Sequence, residues 1–251
     1  RPDGGHATIP QKELITAAHA TGKPVVLVLF SGSTIAINWA QANIPAIIQA
    51  WYPGEEGGNA LADIIFGDYN PAGRLPVTYV KSLDQLPEFT NYDMEGRTYR
   101  YMTEEPLYPF GYGLSYSEFN YSSLTLSKTS IAAGDEVVVS VDVENVSDRD
   151  GDEVVQLYVK HIDASVSTPI FGLQGFKRIH LKGKEKQTVE LTLSPRQMAV
   201  FDDDGRCLVE PGVLEIFVGG SQPDALSQRL TGKTPLSARL TITGETVELP
   251  R

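Results

Sequence analysis

"AWYPGEEGGNALADIIFGDYNPAGRLPVTY", residues 50–79, is the stretch on which the fold turns. It runs from an apolar segment through a glycine-flanked acidic pair into a helical pattern, then into a further extended piece. The adjacent carboxylates Glu55 and Glu56 suggest acid/base chemistry. Their position argues otherwise. They follow Pro53-Gly54 where a helix starts, and negative charge in a first helical turn is favoured by the helix dipole. Neighbouring residues on a helix point about 100° apart, so the two cannot easily flank one bond. The structural reading is the stronger, and the glycines then serve close backbone approach. No GxxxxGK[ST] or GxGxxG is present, so phosphate binding has no motif to rest on.

Outward from that stretch, the pattern is helix and strand in turn. "GGNALADIIFG", 57–67, predicts a helix with Leu61, Ile64 and Ile65 inward and Gly67 as its stop. "VVLVLF", 25–30, and "PAIIQAWY", 45–52, are continuous apolar runs, the mark of parallel strands buried on both faces. "PQKELITAAHATGKP" predicts a short helix opened by Pro10, with Leu14, Ile15 and Ala18 as its apolar stripe and Gly22 and Pro24 as its end. "RLPVTY", 74–79, is a third extended piece. Residues 1–87 therefore read as α/β. An open sheet usually has about 5–6 strands, so the strands flanking these are expected from upstream polypeptide. The turn-rich opening "RPDGGHATIP", with neither an initiator Met nor a signal peptide, fits the same expectation.

Residues 88–119 have no clean period. They are rich in Tyr, Pro and Gly and predict a long ordered loop leading into a linker. From Leu124 the period becomes two. "EVVVSVDVEN", "VVQLYVK", "TVELTL", "VLEIFVG" and "ARLTIT" alternate apolar with polar residues, and "SDRDGD", "KGKEK", "DDDGR", "EPG" and "GGSQPD" separate them. About seven short strands over roughly 125 residues fit an immunoglobulin-like β-sandwich. The expected fold is thus α/β followed by all-β, with the domain boundary near residues 117–124.

The chain of 251 residues has a formal net charge of -11, with acid in excess in both halves. No basic run appears, which argues against nucleic acid and anionic membrane surfaces and in favour of a neutral ligand. Cys207 is the only cysteine, so no disulfide can form within the chain. The longest apolar run, 25–30, is far too short to span a bilayer. His6, His19, His161 and His180 are scattered without metal-ligand spacing, so no metal is expected. His6 draws notice because it sits in a glycine-rich loop. "FSGST", 30–34, follows a strand, where ligand loops gather. Ser31 or Ser33 lacks the G-x-S-x-G elbow of a serine esterase, and a cleft-lining loop is the better reading. "MEGRTYRY", 94–101, places Glu95, Arg97 and tyrosines together, a composition suited to sugar rings and equally to anchoring the loop. "DDDG", 202–205, lacks the spacing of a calcium loop and predicts a hairpin turn.

Several long motifs, in order, resemble one family. "AWYPGEEGGNALADIIFGDYNPAGRLPVTY", "PLYPFGYGLSYSEF", "GDEVVQLYVK", "GFKRIHLKGKEKQTVELTL" and "DDDGRCLVEPGVLEIFVGGS" are similar to glycoside hydrolase family 3. The resemblance implies a barrel domain, an α/β sandwich and a fibronectin type III-like domain, with 1–117 and 118–251 as the last two. It implies release of terminal β-linked sugars with retention by an Asp nucleophile in the barrel and a Glu acid/base. Nothing here matches the barrel segment, and the Glu is expected just upstream of Arg1, so no catalytic residue is assigned. The segment around "NYDMEGRTYRYM" looks most like the β-xylosidase branch. Asp3, His6, Glu95 and Arg97 are the residues expected near sugar. The implied partners are a β-linked oligosaccharide or aryl glycoside and the barrel of the same protein. A homodimer is compatible with this, and no cofactor is required. The competing reading is a non-catalytic carbohydrate-binding or scaffolding module.

Overall fold

The computed structural model describes residues 9–250, the side chain of Ile9 excepted. The described residues form two compact units: those up to Tyr69 with Pro76–Phe110, and Asn70–Leu75 with those from Gly111 onward.

In the first unit, α1 (Ile9–Ala20) ends where Gly22 takes a left-handed φ of 72° and its N–H bonds the His19 carbonyl at 3.0 Å. Of its expected stripe, Ile15 and Ala18 are half-buried and Leu14 is exposed. Strands β1 (Val26–Leu29) and β2 (Ala46–Gln49) pair in parallel, Val26 opposite Ala46, with α2 (Asn38–Asn43) between them in the chain. Both strands are half-exposed rather than buried on both faces, since no third strand joins this sheet among the described residues. Helix α2 was not foreseen, because six residues are too few to show a period.

Helix α3 (Gly57–Phe66) stops at Gly67, whose φ of 87° lets its N–H return to the Ile64 carbonyl. Leu61 and Ile64 are half-buried, but Ile65 lies about 100° round the helix from Ile64 and is exposed. The third extended piece does not enter the β1–β2 sheet. Tyr79 makes an isolated antiparallel bridge to Tyr108 instead. The one-turn helix α4 (Thr98–Tyr101) follows in this unit.

The second unit is a β-sandwich. One sheet has three strands, β3 (Phe119–Leu126), β5 (Val137–Asn145) and β8 (Lys186–Leu193), in the order β3-β5-β8. The other has five: β4 (Ser130–Ala132), β6 (Gly151–His161), β7 (Gly172–Leu181), β11 (Gly212–Gly219) and β12 (Leu236–Thr243), in the order β4-β12-β11-β6-β7. A small sheet adds β9 (Val200–Phe201), β10 (Cys207–Val209) and β13 (Val247–Leu249), and α5 (Ala225–Thr231) lies between β11 and β12 in the chain. Period two does the work expected of it. Val137, Val139, Val141 and Val143 of β5 face Val155, Leu157 and Val159 of β6 and Leu214, Ile216 and Val218 of β11 in one buried cluster. Each such side chain contributes about 1.5–3 kcal/mol by leaving water. The "DDDG" stretch is a hairpin turn, with Gly205 N–H on the Asp202 carbonyl.

Residues 70–75 belong to this sandwich by their side chains. Asn70 Oδ1 accepts from Ser115 Oγ at 2.9 Å and from the Tyr116 N–H at 2.8 Å, while its Nδ2 donates to Ser117 Oγ at 2.8 Å and to the Asp150 carbonyl at 2.9 Å. Arg74 Nη2 meets Glu153 Oε2 at 2.7 Å, with the two side chains only 10% and 4% exposed. Leu75 N–H bonds the Tyr112 carbonyl and Gly111 N–H bonds the Leu75 carbonyl, at 2.9 and 2.8 Å. A Cβ on Gly113 would stand 2.0 Å from the Gly73 carbonyl oxygen, so only glycine fits there. The compact units therefore part at 110/111, a few residues before the 117/118 division that the resemblance implies, and the second reaches back for six residues.

Candidate functional site

Ligand-binding loops of α/β layers gather at the carboxyl ends of the strands. Beyond β1, Ser31 is buried and its Oγ donates to the Ser33 carbonyl at 2.8 Å. Gln49, the last residue of β2, donates from Nε2 to Ser31 Oγ at 3.2 Å and to the Ser31 carbonyl at 3.3 Å. Neither partner can take the Ser31 proton, so the serine holds the loop and is no nucleophile. Trp51 has a φ of 53°, a left-handed conformation that costs about 1–3 kcal/mol for a bulky residue. That bend sets the exposed Tyr52 against Gly32, where a Cβ would come 2.6 Å from the ring.

Glu55 and Glu56 stand just before the first turn of α3 rather than in it. Glu56 is the N-cap, and its carboxylate accepts from Asn59 Nδ2. Pro53 packs so closely on Gly57 that a Cβ would lie 2.5 Å from its Cγ. The glycines here serve the turn, and the two acids do not form a catalytic pair.

The second feature is the loop around Glu95 and Arg97. It is two β-turns in succession. Asn91 N–H bonds the Glu88 carbonyl at 3.0 Å, and Arg97 N–H bonds the Met94 carbonyl at 3.0 Å. Gly96 supplies the left-handed φ of 71° that the second turn requires. Between the turns, Asn91 Oδ1 accepts from the Asp93 N–H at 2.8 Å. The Arg97 guanidinium closes both, donating from Nε to the Asp93 carbonyl at 3.1 Å and from Nη2 to the Glu88 and Asn91 carbonyls at 3.0 and 2.7 Å. Its planar fork satisfies three backbone oxygens at once. Glu95 is exposed at the second turn. The following Tyr99 stacks on Phe110 at 4.2 Å between ring centres. Asp3 and His6 lie outside the described residues.

A glycosidase acid must hold its proton near neutral pH. Burial pushes the Glu153 carboxyl upward, against the opposing pull of Arg74 and Tyr121. Both its oxygens are occupied, Oε2 by Arg74 at 2.7 Å and Oε1 by Tyr121 Oη at 2.8 Å. It is a structural anchor and not a proton donor. Elsewhere, His19 packs edge-on to Trp39, His161 Nε2 lies 3.1 Å from the Met198 carbonyl, and His180 Nδ1 lies 2.7 Å from Asp152. No cluster of three His, Cys, Asp or Glu side chains able to hold a metal occurs among the described residues.

Comparison with known proteins agrees with both units. The model of the glycosyl hydrolase family 3 C-terminal domain matches residues 2–116, and that of the fibronectin type III-like domain matches 153–222. A periplasmic β-glucosidase of Salmonella typhimurium is 41% identical over 226 residues, covering 84% of this chain and 30% of that protein. A β-xylosidase of Formosa agariphila is 44% identical over 216 residues, with the same 84% and 30% coverage. The solved structure of a β-glucosidase from Erythrobacter marinus superposes with a TM-score of 0.82 at 39% identity, over 95% of this chain and 31% of that one. The chain thus spans about a third of the length of the relatives it matches.

Proposed function

The chain belongs to glycoside hydrolase family 3, as its C-terminal portion, and from that premise we propose that it serves an exo-acting retaining β-glycosidase. The reaction is hydrolysis of terminal, non-reducing β-linked glucose or xylose. Retention needs two carboxyl groups about 5–5.5 Å apart across the glycosidic bond. In this reading both come from polypeptide outside the chain: an Asp nucleophile in a barrel domain and a Glu acid/base just before Arg1. The present chain supplies a wall of the cleft and its support. The single observation that carries the reading is the similarity to β-glucosidases and β-xylosidases over 84% to 95% of the chain. The division into a cleft-forming domain at 1–117 and a bracing domain at 118–251, and the nearness of Asp3, His6, Glu95 and Arg97 to sugar, are parts of the same proposal.

The test is an assay of full-length protein on p-nitrophenyl β-glucoside and β-xyloside. Turnover of at least one is expected from the full-length protein and none from residues 1–251 alone. Failure of the full-length protein on both overturns the reading.

A further inference from the structure

We infer that the Arg97-clamped double turn is a carbohydrate-stacking platform, on which Phe89 and Tyr92 receive a pyranose ring of a β-linked oligosaccharide. This rests on the glycosidase reading and deepens it. Phe89 lies in the first turn and is 94% exposed; Tyr92 lies between the turns and is 91% exposed. Met94, two residues after Tyr92 in the chain, is nearly half exposed. Isolated apolar residues on a surface need no explanation, but two almost bare rings on one short loop do. A mobile loop would fold them away from water. This one cannot, because three carbonyl bonds from Arg97 and two turn bonds fix its backbone. The rings are therefore presented in advance, and a ligand need not order them on binding.

The surrounding charges select the ligand. Glu88, Asp93 and Glu95 are exposed, and their carboxylates have no partner among the described residues. They repel phosphates, nucleic acid and acidic peptides. They are good acceptors for hydroxyl donors. A β-linked glucose or xylose ring matches this arrangement. Its equatorial hydroxyls leave each ring face a flat C–H surface for an aromatic ring, while the hydroxyls at its rim donate to carboxylates. Arg97 is a positioning residue here, because its donors are committed to the backbone.

The experiment titrates the protein with laminaritriose, cellotriose and xylotriose, by calorimetry and by ligand-observed NMR. Phe89→Ala/Tyr92→Ala should weaken binding of the preferred trisaccharide by about tenfold or more. The melting temperature should stay put, since neither ring packs in the fold. Arg97→Ala should weaken binding as well, and Arg97→Lys should restore part of it. The proposal is overturned if the unaltered protein binds none of the three sugars, or if the double variant binds them unchanged. It is also overturned if the double variant alters self-association in sedimentation while sugar binding stays the same. Turnover of p-nitrophenyl β-glucoside and β-xyloside by unaltered full-length protein is measured in parallel. Its absence counts against the glycosidase reading, whereas turnover with unchanged trisaccharide binding in the double variant counts against the platform alone.

Discussion

Replacing Arg74 by Met tests the ion pair that ties residues 70–75 into the sandwich. Arg74 and Glu153 meet at 2.7 Å, only 10% and 4% exposed. Methionine fills much of the same volume without the charge. It leaves Glu153 buried without its counter-charge, Tyr121 still donating to Oε1. Removing one partner of such a pair costs about 3–5 kcal/mol, mostly because the remaining charge is stranded. The unit has roughly 150 residues, for which each kcal/mol shifts the melting temperature by about 2–4 °C. Calorimetry should show the sandwich transition fall by about 10 °C. The companion variant Glu153→Leu strands the guanidinium and should fall similarly. The double variant should be less damaged than the two effects added together, with a coupling of about 1 kcal/mol or more. A fall under about 2 °C for Arg74→Met, or strict additivity in the double variant, would refute the reasoning.

Three further outcomes are expected. Gly113→Ala places a Cβ 2.0 Å from the Gly73 carbonyl oxygen, and the backbone must shift; a loss of about 2 kcal/mol or more in denaturant unfolding is expected, and an unchanged midpoint would contradict the packing. Tyr79 is 2% exposed, its hydroxyl has no partner among the described atoms, and burial pushes its pKa up to about 12. Tyr79→Phe should accordingly be neutral or stabilising by up to about 1 kcal/mol, whereas a clear drop in melting temperature would reveal a partner. Partial burial raises the Asp152 carboxyl, but His180 and Arg178 outweigh it and hold the group below the usual range. A depressed acid gives stability that is fully present above the unfolded value of about 3.9 and disappears as pH falls through the lower folded value. Melting curves from neutral pH into this acid window should flatten in Asp152→Asn, and parallel curves for the two proteins would show that the carboxylate contributes nothing.

The sandwich was legible because its strands announce themselves one by one. Val139, Val141 and Val143 alternate with Ser140, Asp142 and Glu144, and each of those three valines is buried. The small sheet of β9, β10 and β13 was not legible, since pieces of two or three residues carry no period. In the first unit the helices from Pro10 and Gly57 were readable from their caps. "VVLVLF" and "PAIIQAWY" told of parallel strands, but their partial exposure depends on how many neighbours a sheet has, which no local pattern records. At the candidate site, the mix of Tyr, Arg and Glu in 94–101 singled out the loop that Arg97 closes. That Arg97 spends its donors on Glu88, Asn91 and Asp93 could not be foreseen, because carbonyls are the same in every residue. Phe89 and Tyr92 carry no signal in the sequence for a related reason: exposure is a tertiary property.

Arg74 lies 79 positions in chain order before Glu153, the residue that receives it, and that separation bears on how such proteins diversify. A recombination event cutting near residue 118 would move eleven β-strands yet abandon the hexapeptide they enclose. The transplanted module would inherit an orphaned acid at its centre and a vacant seam where Asn70 had been. Exchange of these modules between lineages should therefore favour breakpoints ahead of Asn70, carrying the intervening aromatic loop along as a passenger.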